Sequence, residues 1–262
     1  MLLTFTATSL WAWSSSVPDW VKTAAEQTLP KLPESAKAVI LLDDETYTVA
    51  PDGRATTHER VVIKILRPQG RQYGQPAVWY DKDSKIVSMH AWSIDPAGHE
   101  YAVKDNEILD IGSPGDDGDL YDDIRERVAS PPGDDPGGII AYEYEKRERP
   151  YLAETTWYVQ GAIPLLEQSL TLVLPPGYSY STDWAHYPKV DAIDLENHHY
   201  RWEVNNVPGI DLDQVPLSPS ADSLAGRMTV HYSGPGMSAP QDGTWQGIGE
   251  WYTALSHDSI VA

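Results

Sequence analysis

Several aspartates with the chemistry to bind a metal ion lie in one short, turn-rich stretch of the sequence. Carboxylate oxygens are the ligands that Ca²⁺ prefers. The candidate ligands between Gly112 and Asp123 are Asp116, Asp117, Asp119 and Asp122. The stretch lacks the spacing and the closing bidentate Glu of the known Ca²⁺ loop. We therefore predict a solvated acidic loop and no cofactor, and Ca²⁺ binding is kept as the alternative.

Aromatic side chains form a second group of candidate ligand-binding residues. The chain has 10 Trp and 15 Tyr but a single Phe, so most rings carry a polar atom that suits half-exposed surfaces and interfaces. The rings considered for a protein or glycan ligand are Trp92, Tyr121, Tyr142, Tyr144 and Trp202. The alternative is that Tyr and Trp serve as cross-strand partners in a large β-sandwich.

The sequence contains no recognisable nucleophile for covalent catalysis. The chain has no cysteine, which excludes a thiolate nucleophile. No serine stands in a G-x-S-x-G or S-x-x-K arrangement. Paired carboxylates such as Glu143 and Glu145 cannot be assigned to a glycosidase without their geometry. We therefore predict that this chain is not an enzyme by itself.

The charge of the chain excludes one class of partner. Against 39 Asp and Glu there are 19 Lys and Arg, which gives a formal charge of −20. Such a chain repels nucleic acid and anionic lipid, so neither is predicted as a partner. The few arginines, among them Arg60, Arg71, Arg125 and Arg147, are expected to form structural ion pairs with carboxylates.

The N-terminal residues resemble a secretory signal. Residues 1–16 contain an apolar, uncharged run followed by small residues, and this run is too short to span a bilayer. The pattern predicts export to the periplasm or the extracellular space, with no membrane contact beyond the signal segment. The absence of Lys or Arg after Met1 departs from the usual signal pattern. Residues 17–36 then read as a helical lead-in and a linker.

Most of the remaining chain alternates like β-strands. Residues 38–66 predict a hairpin that turns at Pro51, Asp52 and Gly53, and residues 86–103 predict another that turns at 95–98. The predicted fold is all-β, an antiparallel β-sandwich with two stacked β layers as an option, and short N- and C-terminal helices. The sandwich is assigned to residues 37–243, with an optional subdivision near 150.

A helical stripe of apolar residues closes the sequence. In residues 244–262 the apolar side chains that recur at helical spacing are Trp245, Ile248, Trp251 and Leu255. A stripe of this kind either closes the core of the sandwich or docks onto another domain. Both interpretations stay open at this point.

The order and spacing of these pieces resemble a known family. The matching segments are Arg60 with Lys64-Ile65-Leu66, Gly70-Arg71, Tyr80, residues 91–98, residues 121–125, residues 136–144 and residues 251–255. The arrangement is similar to the domain of unknown function that precedes a transglutaminase-like core in many secreted bacterial proteins. The resemblance implies a C-terminal transglutaminase-like domain as a partner in cis, docked through residues 244–262.

Two classes of function follow from the sequence. The first is a non-catalytic N-terminal module that scaffolds the catalytic core of an exported transglutaminase-like protein and presents a protein or glycan substrate to it. The alternative is a carbohydrate-active enzyme or carbohydrate-binding module that uses an aromatic, carboxylate-lined cleft.

Overall fold

Strands form the framework of the computed structural model, which describes residues 17–112, 123–210, 218–235 and 245–260. In chain order the strands are β1 (Ala38–Val49), β2 (Ala55–Ile65), β3 (Ala77–Tyr80), β4 (Ser84–Ile94), β5 (Glu100–Ala102), β6 (Leu109–Gly112), β7 (Arg125–Val128), β8 (Ile139–Glu148), β9 (Glu154–Tyr158), β10 (Leu165–Val173), β11 (Ser179–Ala185), β12 (Ile193–Asp194), β13 (His199–Val207) and β14 (Arg227–Ser233). The helices are α1 (Asp19–Ala25), α2 (Ala221–Leu224) and α3 (Trp245–Ile260). The predicted all-β class with short terminal helices is confirmed.

Both predicted hairpins are present. β1 and β2 pair along their length around a turn in which Gly53 has φ of 79°, a conformation that glycine adopts without steric cost. β4 and β5 pair around the turn at 95–98. There Asp95 accepts hydrogen bonds from the backbone N–H of Ala97 and His99 at 2.9 and 2.8 Å. These bonds, that of His99 above all, lower the pKa of Asp95 to about 2.

The largest sheet has eight strands in the order β12-β13-β10-β1-β2-β8-β4-β5. Every neighbouring pair in it is antiparallel except β1 and β10, which are parallel. Side chains alternate with period two in either orientation, so the sequence pattern did not reveal the parallel pair. The subdivision near residue 150 stays a prediction, although strands from both sides of that residue pair within this sheet.

Two three-stranded sheets cover one face of the eight-stranded sheet, which we call the inner face. The sheet β11-β14-β9 packs on β13, β10 and β1 through a core that includes Trp202, Leu170 and Met228. The sheet β3-β7-β6 packs on β8 and β4 through Val78 and Met89. The two stacked β layers considered from the sequence are therefore present, with the second layer divided into two small sheets.

Helix α1 lies on the opposite face, which we call the outer face. Val21 and Ala24 are buried against residues of β1, β2, β8 and β10, so the predicted lead-in helix packs on the sheet. Lys22 forms an ion pair of 2.8 Å with Glu100 in β5, which ties α1 to the edge strand. Among the described helices, none is long and apolar enough to cross a membrane.

We expect the aromatic core under the second layer to dominate stability. Trp202 is 1% exposed, and Trp202→Ala should lower the free energy of unfolding by about 3–5 kcal/mol because it leaves a large cavity. Trp79 in β3 is 51% exposed, and Trp79→Ala should change it by about 0.5 kcal/mol. Urea denaturation measures both, and equal losses in the two variants would contradict this assignment of the core.

Candidate functional site

Three carboxylic acids lie side by side on the inner face. Asp43 and Glu45 come from β1 and Glu59 comes from β2, and the register places Glu45 directly opposite Glu59. In β8 the same face carries Tyr142, Tyr144, Lys146 and Glu148, in register with Val61, Glu59, Thr57 and Ala55 of β2. We call Asp43, Glu45 and Glu59 the acidic cluster.

The acidic cluster follows from the alternation of β1 and β2. At one end of the hairpin the inner-face residues are apolar and buried, as with Ala38, Ile63 and Ile65. Nearer the turn, the same alternation brings the carboxylates of the acidic cluster to that face. A bulge between Ile40 and Leu42 sets this register. Like charges directly opposite one another destabilise a sheet unless a proton or a partner neutralises them.

Asp43 and Glu59 interact directly. Each carboxyl group shifts the pKa of the other, and two neighbouring carboxylates are accommodated more readily when they share a proton. Burial, followed by the charges of Glu59 and Glu45, holds the pKa of Asp43 well above its usual range. Burial also raises the pKa of Glu59, and the hydrogen bond that Tyr144 donates opposes this. The two acids therefore retain a proton at a pH where exposed acids have lost theirs.

Glu45 completes the cluster, and its pKa is displaced as well. Burial raises this pKa to about 8, the charge of Glu59 adds to the rise, and the charge of Lys146 opposes it. All three acids are half-buried, so protein atoms surround them while some contact with solvent remains. Lys146 itself pairs with Glu148 at 3.0 Å. The ammonium group of Lys146 thus interacts with the carboxyl groups of Glu45, Glu59 and Glu148.

Gln168 in β10 links the acidic cluster to the second layer. Its Nε2 donates to Asp43 Oδ2 at 2.9 Å and to the backbone oxygen of Tyr158 at 3.0 Å. Its Oε1 is buried and has no hydrogen-bond partner. A buried unpartnered carbonyl costs free energy, so this polar corner of the inner face makes the fold less stable than a fully paired one would.

The cluster does not have the arrangement of a metal centre. Within the described residues, no group of three or more His, Asp or Glu side chains is arranged to hold a metal ion. What the geometry offers is proton storage, because paired acids in a desolvated place titrate far from their usual pKa. Acids with strongly shifted pKa values also mark functional sites. The sequence did not single out these three residues, because carboxylates are abundant throughout the chain.

A row of ion pairs crosses the outer face. Glu143 Oε1 accepts from His58 Nε2 at 2.6 Å and from Arg60 Nε at 2.9 Å. Arg201 reaches Asp44 at 3.2 Å and Glu203 at 2.7 Å. The predicted pairing of arginines with carboxylates is confirmed for Arg60, for Arg71 with Asp135 and for Arg147 with Glu145 at 2.8 Å. Arg125 differs, because its Nε donates to Tyr80 Oη at 3.0 Å.

The aromatic residues singled out in the sequence do not share one cleft. Tyr142 and Tyr144 lie on the inner face beside the acidic cluster. Trp92 lies on the outer face, where its ring meets Trp20 edge-on at a centroid distance of 5.9 Å. Trp202 is buried under the second layer. Their ring contacts join layers rather than neighbouring strands, since Trp20 belongs to α1 and the ring that meets Trp202 edge-on is Tyr180 of β11.

Some predicted sites lie outside the described residues. These are the signal segment, Tyr121, and the acidic loop with Asp116, Asp117, Asp119 and Asp122. In α3, Trp245 is 88% exposed and Ile248 is 37% exposed, whereas the side chains of Trp251 and Leu255 are not described. Helix α3 spans Trp245–Ile260, within the segment 244–262 that was predicted to be helical.

A cavity that the sequence did not reveal opens where β8 ends. It has a volume of about 290 Å³ and lies between β3, the turn before β4 and the segment that follows β8. Trp79 and Tyr151 contribute exposed rings, and Lys146 and Glu148 line it as the continuation of the inner-face row in β8. The sequence feature that could have indicated this cavity is the pair Trp79-Tyr80 followed closely by Asp81 and Asp83.

The comparisons with known proteins identify a family and a fold. The family described as "Domain of Unknown Function with solved-structure structure (DUF3857)" matches residues 51–211, which confirms the resemblance predicted from the sequence. The transglutaminase-like context stays a prediction. No curated protein matches the chain.

One of the solved structures that match this chain shares its fold over part of its length. A candidate protease from Parabacteroides distasonis ATCC 8503 is similar with a TM-score of 0.62 at 17% identity, over 76% of this chain and 41% of that one. The M1 zinc metallopeptidase from Deinococcus radiodurans has a TM-score of 0.40 at 10% identity, over 78% and 44% of the two chains. The chain thus spans less than half of either protein, and the first likeness shows a common fold alone.

The acidic cluster should make the folded state less stable as the pH rises. An acid with a raised pKa in the folded state binds more protons there than when unfolded, so stability falls between its unfolded pKa and its folded one. For Glu45 this window runs from 4.5 to about 8. Glu45→Gln should flatten the loss of stability across the window and add on the order of 2 kcal/mol at its upper end.

The measurement is urea denaturation at several pH values between those limits. Glu167→Gln is the matched control, because Glu167 lies exposed in the neighbouring strand β10. It should leave the slope unchanged. If Glu45→Gln lowers stability at the alkaline end, the cluster is not a source of electrostatic strain.

Proposed function

Because this chain belongs to the DUF3857 family, we propose that it is a non-catalytic module of an exported protein and packs against a catalytic domain of the transglutaminase-like or protease-like kind. The module holds that domain in place and presents a substrate to it. The apolar leader of the sequence supports a periplasmic or extracellular location.

The exposure of α3 is the observation that carries this proposal. Trp245 is 88% exposed, Tyr252 is 67% exposed and Ile248 is 37% exposed, on a helix that follows the last strand. Exposed aromatic residues grouped on one element mark interaction sites more often than singly scattered ones do. A partner domain that covers these rings would remove the exposed apolar area from water.

The coverage of the solved structures gives further support. The chain matches 41% of the candidate protease, so more than half of that protein lies outside the shared fold. A module that occupies part of a larger protein requires an interface with the remainder. An exposed aromatic helix at the end of the module provides one.

The chemistry of the chain also supports a non-catalytic role. The sequence contains no cysteine, so the thiolate of a transglutaminase-like reaction has to come from another domain. Asp43 and Glu59, the acids with raised pKa values, interact with each other. Asp43 also interacts with Gln168, and Glu59 interacts with Tyr144. Their interactions are internal to the sheet.

Removal of the exposed rings of α3 should weaken docking without destabilising the module. We expect Trp245→Ala with Tyr252→Ala to change the free energy of unfolding of this chain by about 0.5 kcal/mol. Binding to the catalytic domain that the surrounding gene encodes should weaken by about 3 kcal/mol, or roughly a hundredfold in Kd. Titration calorimetry with separately produced domains measures the affinity.

Trp79→Ala, which removes an exposed ring far from α3 in sequence, is the matched control and should leave the affinity unchanged. A loss of several kcal/mol of unfolding free energy in the α3 variant would show that this helix belongs to the core of the module. A surrounding gene that encodes no catalytic domain would contradict the proposed role as a whole.

The chain alone should have no transamidase or peptidase activity. Turnover is measured with an amine donor plus a glutamine-containing peptide, and with unfolded casein, in the presence of this chain only. We expect rates equal to those of buffer, because neither a thiol nor a serine motif supplies the nucleophile. Activity that a single substitution within this chain abolishes would overturn the assignment.

A further inference from the structure

The cavity at the end of β8 has walls that the backbone fixes in place. In β3 Val78 is buried and Trp79 is 51% exposed, so the alternation of the strand turns the indole outward. On the other side Tyr151 is 71% exposed and its hydroxyl donates to Asp83. Two aromatic rings thus border one cavity of about 290 Å³, one carried by β3 and the other positioned by its hydrogen bond to Asp83.

Polar groups in the same cavity are ordered by their own contacts. Asp81 Oδ1 accepts from Ser84 Oγ at 2.7 Å and from the backbone N–H of Asp83 at 3.0 Å. The bond from Ser84, more than any other contact, lowers the pKa of Asp81, so this carboxylate is a fixed acceptor at neutral pH. Lys146 and Glu148 form an ion pair of 3.0 Å in the cavity lining.

The charges of the cavity select against ionic ligands. Lys146 is paired with Glu148, and Arg149 stands near Asp81 and Asp83 in the lining. Both signs are present, so neither a small cation nor a small anion meets a uniform field. A polyanion is further repelled by the formal charge of −20 on the whole chain. An uncharged ligand rich in hydroxyl groups fits these donors and acceptors.

From these features we propose that the cavity binds an uncharged saccharide. The C–H face of a pyranose ring packs against Trp79 or Tyr151, and its hydroxyl groups donate to Asp81 and Glu148 and accept from Lys146. The volume holds roughly one or two sugar rings. This deepens the presenting role given to the module above and rests on it for the biological purpose of binding, while the binding itself is a property of this chain.

Titration calorimetry on this chain tests the proposal with chitotriose, cellotriose and maltotriose, each up to about 10 mM. At least one should bind with a Kd of about 0.1–1 mM. Trp79→Ala and Tyr151→Ala should each weaken it by about tenfold or more. Trp245→Ala removes an exposed indole outside the cavity and should leave the affinity unchanged. Tyr151 lies outside the strands and on the other side of the cavity, so its variant tests the cavity independently of Trp79→Ala.

The proposal is overturned if none of the three saccharides binds, or if binding survives both cavity variants. Binding of a proline-rich peptide in their place, sensitive to Trp79→Ala, would assign the cavity to a polypeptide and also overturn it. If no saccharide binds but the catalytic domain still docks, only the saccharide proposal is wrong and the proposed module role stands. Saccharide binding in a chain that docks to no catalytic domain would leave the inference and remove the proposed module role.

Discussion

The pairing of β1 with both β2 and β10 is the constraint on which the rest of this structure depends. β1 lies at the centre of the eight-stranded sheet, antiparallel to β2 and parallel to β10. Because side chains of a strand alternate between faces, this one strand gives Leu41 to the α1 side and Tyr47 to the core under β14. A slip of one residue would exchange these sets and expose both cores.

The same register imposes a cost on the inner face. It places Glu45 opposite Glu59 and brings Asp43 next to Gln168, so three acids meet where the surrounding protein disfavours their charged forms. The fold tolerates this arrangement because protons and Lys146 neutralise part of the charge. Places where a local rule is broken at the centre of a consistent fold are where function or regulation is expected.

Sequence reasoning succeeded where periodicity and turn chemistry act locally. The hairpin at Gly53, the turn at Asp95, the lead-in helix and the C-terminal helix each follow from residues within one segment. The parallel pairing of β10 with β1 joins segments more than a hundred residues apart, and no local pattern encodes it. The acidic cluster and the cavity were missed for the same reason, since both assemble residues from separate strands.

Individual residues show this difference most clearly. Tyr142 and Tyr144 stand two residues apart in β8, so the alternation of the strand places both on the inner face. Trp92 and Trp202 were both considered as ligand-binding rings because of their residue type. Trp92 contacts Trp20 on the outer face, whereas Trp202 is buried under the second layer. Aromatic type indicates that a ring sits at a boundary between polar and apolar surroundings. Which boundary it occupies is decided by the strand order.

Lys146 connects the two polar features of the inner face. Its charge opposes the rise in pKa of Glu45 and Glu59, and its ammonium group pairs with Glu148 in the lining of the cavity. A ligand that draws Lys146 away from the acidic cluster would therefore raise the pKa of both acids. By thermodynamic reciprocity, protonation of the cluster would then strengthen the binding of that ligand. Lys146 belongs to both features because the inner face of β8 runs from the side of the acidic cluster into the lining of the cavity.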